Sequence, residues 1–179
     1  MEMLGVQALM NDPDFSALRV QVVGAKGHVA TMMRTVLTAA GVGHMLLLDD
    51  ARRALELLTS EHFDAVFVEG PTHLEGISFA RMARRRMLRN PLIPIFAVYG
   101  GPRRRDVEKA RDLGVAGVIC RPVSPKTISE KLLVALVQPR PFISAPNFFG
   151  PDRRNKARVW RGGERRKQMP RKEKIQLVD

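Results

Sequence analysis

The chain has 179 residues, of which 45% are hydrophobic, so it is long enough for one packed domain and a further segment. Its longest apolar run, Pro91 to Tyr99, is far shorter than the roughly 20 residues of a transmembrane helix, and its acidic N-terminus is unlike a secretory signal. The single Cys120 excludes an internal disulfide; together these features predict a cytoplasmic protein.

The positive charge is concentrated near the end of the chain. Lys and Arg outnumber Asp and Glu by 30 to 18 overall, and residues 138–179 alone contain 12 basic and 4 acidic side chains. Prolines interrupt any long helix in this segment. The sequence therefore predicts an N-terminal extension (1–16), a domain (17–138) and a basic tail (139–179) that is partly disordered when free.

Apolar segments with strand character alternate with segments of helical spacing. The predicted strands are 18–23, 45–48, 64–68, 91–98 and 115–120. The predicted helices begin near His28, Asp50, Ile77, Pro102 and Pro125. Five such alternations with short loops predict an α/β fold, a parallel sheet with helices on both faces. Ligand sites in such folds lie at the carboxyl ends of the strands.

Four segments of the domain resemble a bacterial response-regulator receiver domain, related to the single-domain chemotaxis regulator. They are VVGAKGHV, FDAVFVEG, IPIFAVYGG and LGVAGVICRPVSPKTISEKL. The resemblance covers about residues 17–138 and implies a flavodoxin-like topology. It also implies signalling in a two-component phosphorelay or in motility.

The resemblance places this chain's residues at the receiver's functional positions. Receivers bind Mg²⁺ with an acidic pair after the first strand and phosphorylate an Asp after the third, and a hydroxyl residue and a Lys contact the phosphoryl group. An aromatic residue in the fifth strand acts as a switch. In that order, the matching positions here are Gly24 with Ala25, Glu69, Tyr99, Arg121 and Val118.

Most of these positions depart from the receiver pattern. Gly24 and Ala25 supply no side-chain oxygen for Mg²⁺, a hard cation that requires oxygen ligands. Without a metal, phosphoryl transfer loses its main electrostatic stabilisation, and Glu69 is one methylene longer than Asp. We therefore expect no metal, no cofactor and no enzymatic activity, and the histidines have no metal-like spacing.

Two side chains of this site have alternative interpretations. Glu69 and Arg121 either form a fixed ion pair, which partly mimics a permanent phosphoryl group, or are remnants of a lost site. A locked pair predicts that Glu69→Gln changes stability or partner affinity. Tyr99 either fills the volume of the switching residues or is a simple strand-end aromatic, and Cys120 is expected in the core.

Three basic clusters suggest partners. Arg84 to Arg86 are interpreted as a solvated face, whereas Arg103, Arg104 and Arg105 are either a solvated face or an anion site at a helix start. The tail combines basic groups with phenylalanines and a tryptophan that could contact nucleic acid, an acidic protein surface or a cyclic dinucleotide. The candidate residues are Arg153, Arg154, Lys156, Arg158, Trp160, Arg161, Arg165 and Arg166.

The leading hypothesis is a non-phosphorylatable signalling adaptor that binds a protein partner. A nucleic-acid-binding protein, an effector of an anionic second messenger and an active phosphoacceptor are the alternatives, in that order. The phenylalanines of the tail could instead simply dock on the domain. The sequence does not determine the oligomeric state.

Overall fold

A computed structural model describes residues 13–69, 75–85, 87–146, 148–152 and 171–173. In the α/β core, strands and helices alternate in the predicted order. The five parallel strands are β1 (Arg19–Val23), β2 (His44–Leu48), β3 (Ala65–Glu69), β4 (Ile95–Tyr99) and β5 (Gly117–Cys120). The helices are α1 (Gly27–Ala39), α2 (Ala51–Ser60), α3 (Glu75–Arg85), α4 (Arg104–Asp112) and α5 (Pro125–Val137).

The sheet has the strand order β2-β1-β3-β4-β5, and all of its pairs are parallel. Every residue of β3 and β4 is buried, as expected for central strands that helices cover on both faces. The predicted fold class is therefore confirmed, including the order of strands that characterises the flavodoxin-like topology.

Two apolar clusters hold the layers together. On one face, α1 and α5 pack over the stacked rings of Phe67 and Phe96, whose centroids are 5.1 Å apart. On the other face, α2, α3 and α4 form the second cluster, in which Phe79 of α3 packs with Phe63 and Tyr99. The core thus consists of aliphatic side chains around a few aromatic rings, in agreement with an aromatic content of only 6%.

The predictions for two strands need correction. We expected β2 to be buried, but it is an edge strand whose His44 and Leu46 are exposed. We also expected Cys120 in the core, whereas it is exposed at the end of β5, the opposite edge strand. Both errors have the same origin, because the sequence pattern does not show which strands have only one neighbour.

The segment assigned to the tail begins with a second, small sheet. β6 (Phe142–Ala145) pairs antiparallel with β7 (Phe148–Pro151) and with β8 (Arg171–Glu173). Phe142 is only 2% exposed, and its ring lies 5.5 Å from that of Phe149. β6 and β7 are therefore part of the fold, and Phe142 packs into it as the docking alternative for the phenylalanines expects.

Two glycines allow this hairpin to approach the domain. A Cβ atom at Gly114 would lie 2.8 Å from the carbonyl oxygen of Phe149, and one at Gly150 would lie 2.7 Å from the Cα atom of Gly114. Gly114 also has a φ of +85°, in the left-handed region that favours glycine. The hairpin consequently lies against the turn between α4 and β5, at the amino edge of the parallel sheet.

Arg84 connects the hairpin to the amino edge of the parallel sheet, contrary to the prediction that this residue belongs to a solvated face. The side chain is buried, and its guanidinium donates hydrogen bonds to the carbonyl oxygens of Gly114, Pro91 and Ile93 at 3.2, 3.2 and 2.7 Å. It also lies over the Phe142 ring at 5.0 Å. Burial lowers the pKa of Arg84 to about 9, so the group remains protonated at neutral pH.

We expect Arg84→Ala to reduce the free energy of unfolding by about 3 kcal/mol, because it creates a cavity and removes the donor from three carbonyl groups. Arg81→Ala is the matched control, since Arg81 is exposed on the same helix, and should change stability by less than about 0.5 kcal/mol. Urea denaturation followed by circular dichroism measures both. Equal values for the two variants would contradict the structural role of Arg84.

Candidate functional site at the carboxyl edge of the sheet

The loop after β1 is in backbone contact with the end of β3. Gly24 donates its N–H to the carbonyl oxygen of Leu48 at 2.8 Å and has a φ of +81°. A Cβ atom at Gly24 would lie 2.6 Å from the carbonyl oxygen of Glu69. Any larger residue at position 24 would therefore require the backbone to move, and neighbouring Ala25 is buried.

Glu69 and Arg121 form the predicted ion pair. Arg121 Nη1 lies 3.1 Å from Glu69 Oε1, and the two side chains are 29% and 5% exposed. The carboxylate is therefore buried at the end of β3, while the guanidinium extends from the end of β5 toward solvent. This pair combines the phosphoacceptor position and the lysine position of the receiver pattern in one contact.

Gly100 makes this contact possible, and the sequence analysis missed it. A Cβ atom at Gly100 would lie 2.5 Å from Arg121 Nη2. The guanidinium thus passes directly over the backbone that follows β4. The available signal was the Gly100-Gly101 pair immediately after a buried strand, a position where close approach of another group is a common reason for glycine.

The second oxygen of Glu69 is not neutralised. Oε2 is buried and has no hydrogen-bond partner among the described residues. Burial raises the pKa of Glu69, and the attraction of Arg121 opposes that shift without cancelling it. Glu69 is consequently a carboxyl group whose ionised form is less stable here than in water, despite its cationic neighbour.

Tyr99 lies in the core rather than at the surface of the strand end. Its side chain is 2% exposed and packs in the apolar cluster beneath α4, together with half-buried Val118. Burial raises the pKa of the Tyr99 hydroxyl, and the negative charge of Asp106 adds to the effect. Tyr99 therefore fills core volume at the end of β4, which agrees with both interpretations of this residue.

A cavity of about 630 Å³ opens above the ion pair. Three further charged residues line it, and the sequence analysis had not assigned them to the site: Lys26 from the same loop as Gly24, and Asp49 and Asp50 from the loop after β2. Asp50 caps α2 by accepting a hydrogen bond from the N–H of Arg52 at 2.7 Å. The sequence signal was the Asp-Asp pair after β2, which we interpreted only as a helix cap.

The residues at this edge do not fit the Mg²⁺ ion of active receivers. Gly24 and Ala25 have no oxygen-bearing side chain, and Glu69 is paired with a guanidinium. Within the described residues, no group of three or more His, Cys, Asp or Glu side chains could hold a metal ion. A divalent cation would also meet Arg121, whose charge has the same sign.

Arg103, Arg104 and Arg105 lie at the start of α4, on the same edge of the sheet. Arg104 pairs with Glu108 at 2.9 Å, and Arg105 lies 3.9 Å from Asp106. Asp106 accepts a hydrogen bond from the N–H of Arg103 at 2.8 Å and thereby caps the helix. Two of the three guanidinium groups thus have carboxylate neighbours, which favours a solvated face over an anion site.

The basic candidates of the tail lie outside the described residues. These are Arg153, Arg154, Lys156, Arg158, Trp160, Arg161, Arg165 and Arg166. Over the part of the chain that the structure describes, none of the helices combines the length and the apolar character that a membrane crossing needs.

Comparisons with known proteins identify the fold. Neither protein-family models nor curated proteins match the sequence. Among solved structures, the chemotaxis protein CheY4 of Vibrio cholerae is 20% identical, with a TM-score of 0.58, over 66% of this chain and 98% of CheY4. The receiver domain of a sensor histidine kinase from Pseudomonas aeruginosa PAO1 is 19% identical, with a TM-score of 0.56, over 68% of this chain and 98% of that domain.

A longer chain has the same kind of similarity. Full-length FixJ from B. japonicum is 20% identical, with a TM-score of 0.59, over 69% of this chain and 60% of FixJ. The Pseudomonas structure has a magnesium ion coordinated in its active-site cleft. At these identities the comparisons establish a receiver fold for this chain, and the chemistry must be judged from its own residues.

The raised pKa of Glu69 predicts a specific pH dependence of stability. Between the usual value of 4.5 and the raised value, the folded state binds more protons than the unfolded state, so stability falls as the pH increases. Glu69→Gln removes this proton uptake. We expect the stability of Glu69→Gln relative to the parent protein to increase as the pH rises above 4.5, measured by urea denaturation from pH 4 to pH 8.

Gly100→Ala provides a companion variant that leaves the carboxyl group in place. The new methyl group would displace the flexible end of Arg121 from Glu69, so the pKa of Glu69 should rise further and the pH at which stability is lost should shift upward. Gly101→Ala is not a suitable control, because Gly101 has a φ of +131°. Coincident pH profiles for Gly100→Ala and the parent protein would show that the ion pair does not influence Glu69.

Proposed function

We propose that this chain is a receiver-fold signalling adaptor that does not accept a phosphoryl group and acts by binding a protein partner in the cytoplasm. The observation that supports this proposal most directly is the contact of 3.1 Å between Arg121 and the buried carboxylate of Glu69. In this arrangement the guanidinium of Arg121 lies directly beside the side chain at the phosphoacceptor position.

The chemistry of phosphoryl transfer supports the same conclusion. The reaction needs positioned positive charge around the transferred group and a nucleophile that can reach it. Here one oxygen of Glu69 faces Arg121, the other is buried, and Gly24 and Ala25 after β1 supply no acidic pair for Mg²⁺. Arg121 could stabilise an incoming phosphate, but only by leaving Glu69 as an unpaired buried charge, which is costly.

A fixed ion pair between Glu69 and Arg121 also removes phosphorylation as the signal that changes the state of a receiver fold. The contact links the ends of β3 and β5, and the N–H of Arg121 donates to the carbonyl oxygen of Tyr99 on β4 at 2.7 Å. The carboxyl ends of three strands are thereby held in one arrangement without a modification. An adaptor with this property transmits information through the presence of its partner, since no covalent event is available to shift its state.

A basic surface is consistent with an acidic partner. The chain has a formal net charge of +12, and exposed cations of α4 lie at the same edge as the ion pair. Such charge accelerates association with a negatively charged protein more than it strengthens the final complex. The partner is therefore expected to bind in a salt-dependent manner.

The phosphoryl-transfer part of the proposal is tested with acetyl phosphate and Mg²⁺. We expect no phosphorylated species in intact-protein mass spectrometry, under conditions that label an active receiver domain in a parallel sample. Labelling of the parent protein that disappears in Glu69→Gln would overturn the proposal, because it would identify Glu69 as a phosphoacceptor. Labelling that persists in Glu69→Gln would reveal a different acceptor and would overturn it as well.

Nucleic-acid binding is a second candidate, favoured by the composition of the segment between β7 and β8. Residues 153–170 contain eight basic residues and one acidic residue. A phosphate backbone is a suitable partner for such a segment.

A replacement of residues 153–170 by a short Gly/Ser linker tests this candidate without removing buried Phe142. If the segment binds nucleic acid, fluorescence anisotropy with short DNA and RNA should show binding with a steep salt dependence for the full chain and its loss in the replacement variant. Equal weak binding by both proteins would eliminate the nucleic-acid candidate.

A further inference from the structure

We propose that a groove between α5 and the β6–β7 hairpin binds an acidic segment of the protein partner through one aliphatic side chain. This groove is called the α5 groove below. The inference rests on the proposed adaptor function and specifies the chemistry of the partner. The α5 groove lies near the amino ends of β4 and β5, whereas the Glu69–Arg121 pair lies at the carboxyl ends of the strands.

The α5 groove is built from apolar side chains of three parts of the fold. α5 contributes one wall, the hairpin contributes another, and the segments before β4 and β5 form the floor. Among its lining residues are Pro94, Phe96, Ala116, Ala135, Phe142 and Pro151. The enclosed space is about 80 Å³, which is comparable to the volume of one aliphatic side chain.

α5 is unusually apolar on its outer side. Val134 lines the groove and is 54% exposed, and Leu133, Ala135 and Leu136 around it are only partly buried. Surface helices normally present polar residues on the side away from the core. A helix with apolar residues around most of its circumference, next to an apolar cavity, is suited to bury more surface against another molecule.

The charged residues that line the α5 groove favour a negatively charged partner. Lys131 and Arg140 are its only charged lining residues, and neither has an ion-pair partner in the described part of the chain. The Lys131 stem packs near Gly117, since a Cβ atom there would lie 3.8 Å from Lys131 Cδ. Carboxylates on both sides of an aliphatic side chain would complement these cations.

Other occupants fit this surface less well. A second copy of this chain would bring a formal charge of +12 toward two unpaired cations. A nucleic-acid backbone would offer phosphates but no aliphatic group for the cavity. The arginines of α4 differ from the groove cations, because Arg104 and Arg105 already have carboxylate neighbours. Charge and shape together therefore favour an acidic protein segment.

The smallest probe with the required chemistry is the blocked peptide acetyl-Asp-Leu-Asp-amide. We expect saturable chemical-shift changes in the NMR spectrum of the full-length ¹⁵N-labelled protein at Ala116, Lys131 and Ala135, with an affinity in the millimolar range. The peptides acetyl-Lys-Leu-Lys-amide and acetyl-Asp-Ser-Asp-amide test the charge and the aliphatic anchor separately. Either of them binding at the same place with the same affinity would overturn the proposal.

Variants at three exposed positions complete the test. Arg140→Gln should weaken binding of the acidic peptide about two- to fivefold, whereas Lys126→Gln at the other end of α5 should leave it unchanged. Val134→Asp should weaken binding more than Val134→Lys, because the two substitutions remove the same side chain and differ in the sign of the new charge. Each variant is compared by its NMR spectrum to verify folding.

Shift changes that cluster elsewhere, that are absent up to the solubility limit, or that are unaffected by Arg140→Gln and Val134→Asp would contradict the α5 groove. Such a result would leave the adaptor function intact, because phosphoryl labelling is measured independently. Conversely, labelling at Glu69 together with peptide binding at the groove would retain the docking surface and reject the non-phosphorylatable adaptor.

Discussion

The contact between Arg121 and Glu69 determines how the carboxyl edge of this protein is organised. The buried carboxyl group pairs with a guanidinium that reaches it over Gly100, and the loop after β1 approaches the same residue through Gly24. Glycines at both places leave space that side chains would otherwise fill. The edge is therefore built around Arg121, which lies where the receiver pattern has a Lys, and it pairs with Glu69 without the acidic pair after β1 that the pattern uses for a metal ion.

A second arginine, Arg84, lies near the amino ends of the parallel strands. The two guanidinium groups are stabilised in different ways. Arg121 is partly exposed and pairs with a carboxylate. Arg84 is buried and uses three backbone carbonyl groups and the Phe142 ring in place of an anion. The first arrangement constrains the functional edge, and the second attaches the hairpin to the domain.

The sequence predicted the architecture well because hydrophobic periodicity and the alternation of strands and helices along the chain can be read from local sequence. The alternation of strands and helices defined the parallel sheet, and this in turn brought Glu69, Tyr99 and Arg121 to one edge. The pairing of Glu69 with Arg121 could be anticipated for the same reason. These inferences required only the direction of each strand and the residue at its end.

The remaining features depend on distant contacts that no local pattern encodes. Arg84 belongs to a run of arginines and resembles a surface residue, but contacts with Gly114 and with Phe142, 30 and 58 residues later in the chain, help to bury it. The exposure of Cys120 and of β2 follows from their places at the two sheet edges. Lys26 and Asp49 join the site because their loops converge there, which requires the assembled sheet to be recognised.

The small sheet has a consequence for the order in which the molecule folds and opens. β6 and β7 are joined by a turn of two residues, so their pairing is local and can form early. β8 consists of three residues and reaches β6 only after the closure of a long loop, which carries a larger entropic cost. Amide protons of β8 should therefore exchange with solvent before those of the hairpin, and β8 can detach by local opening while the domain stays folded.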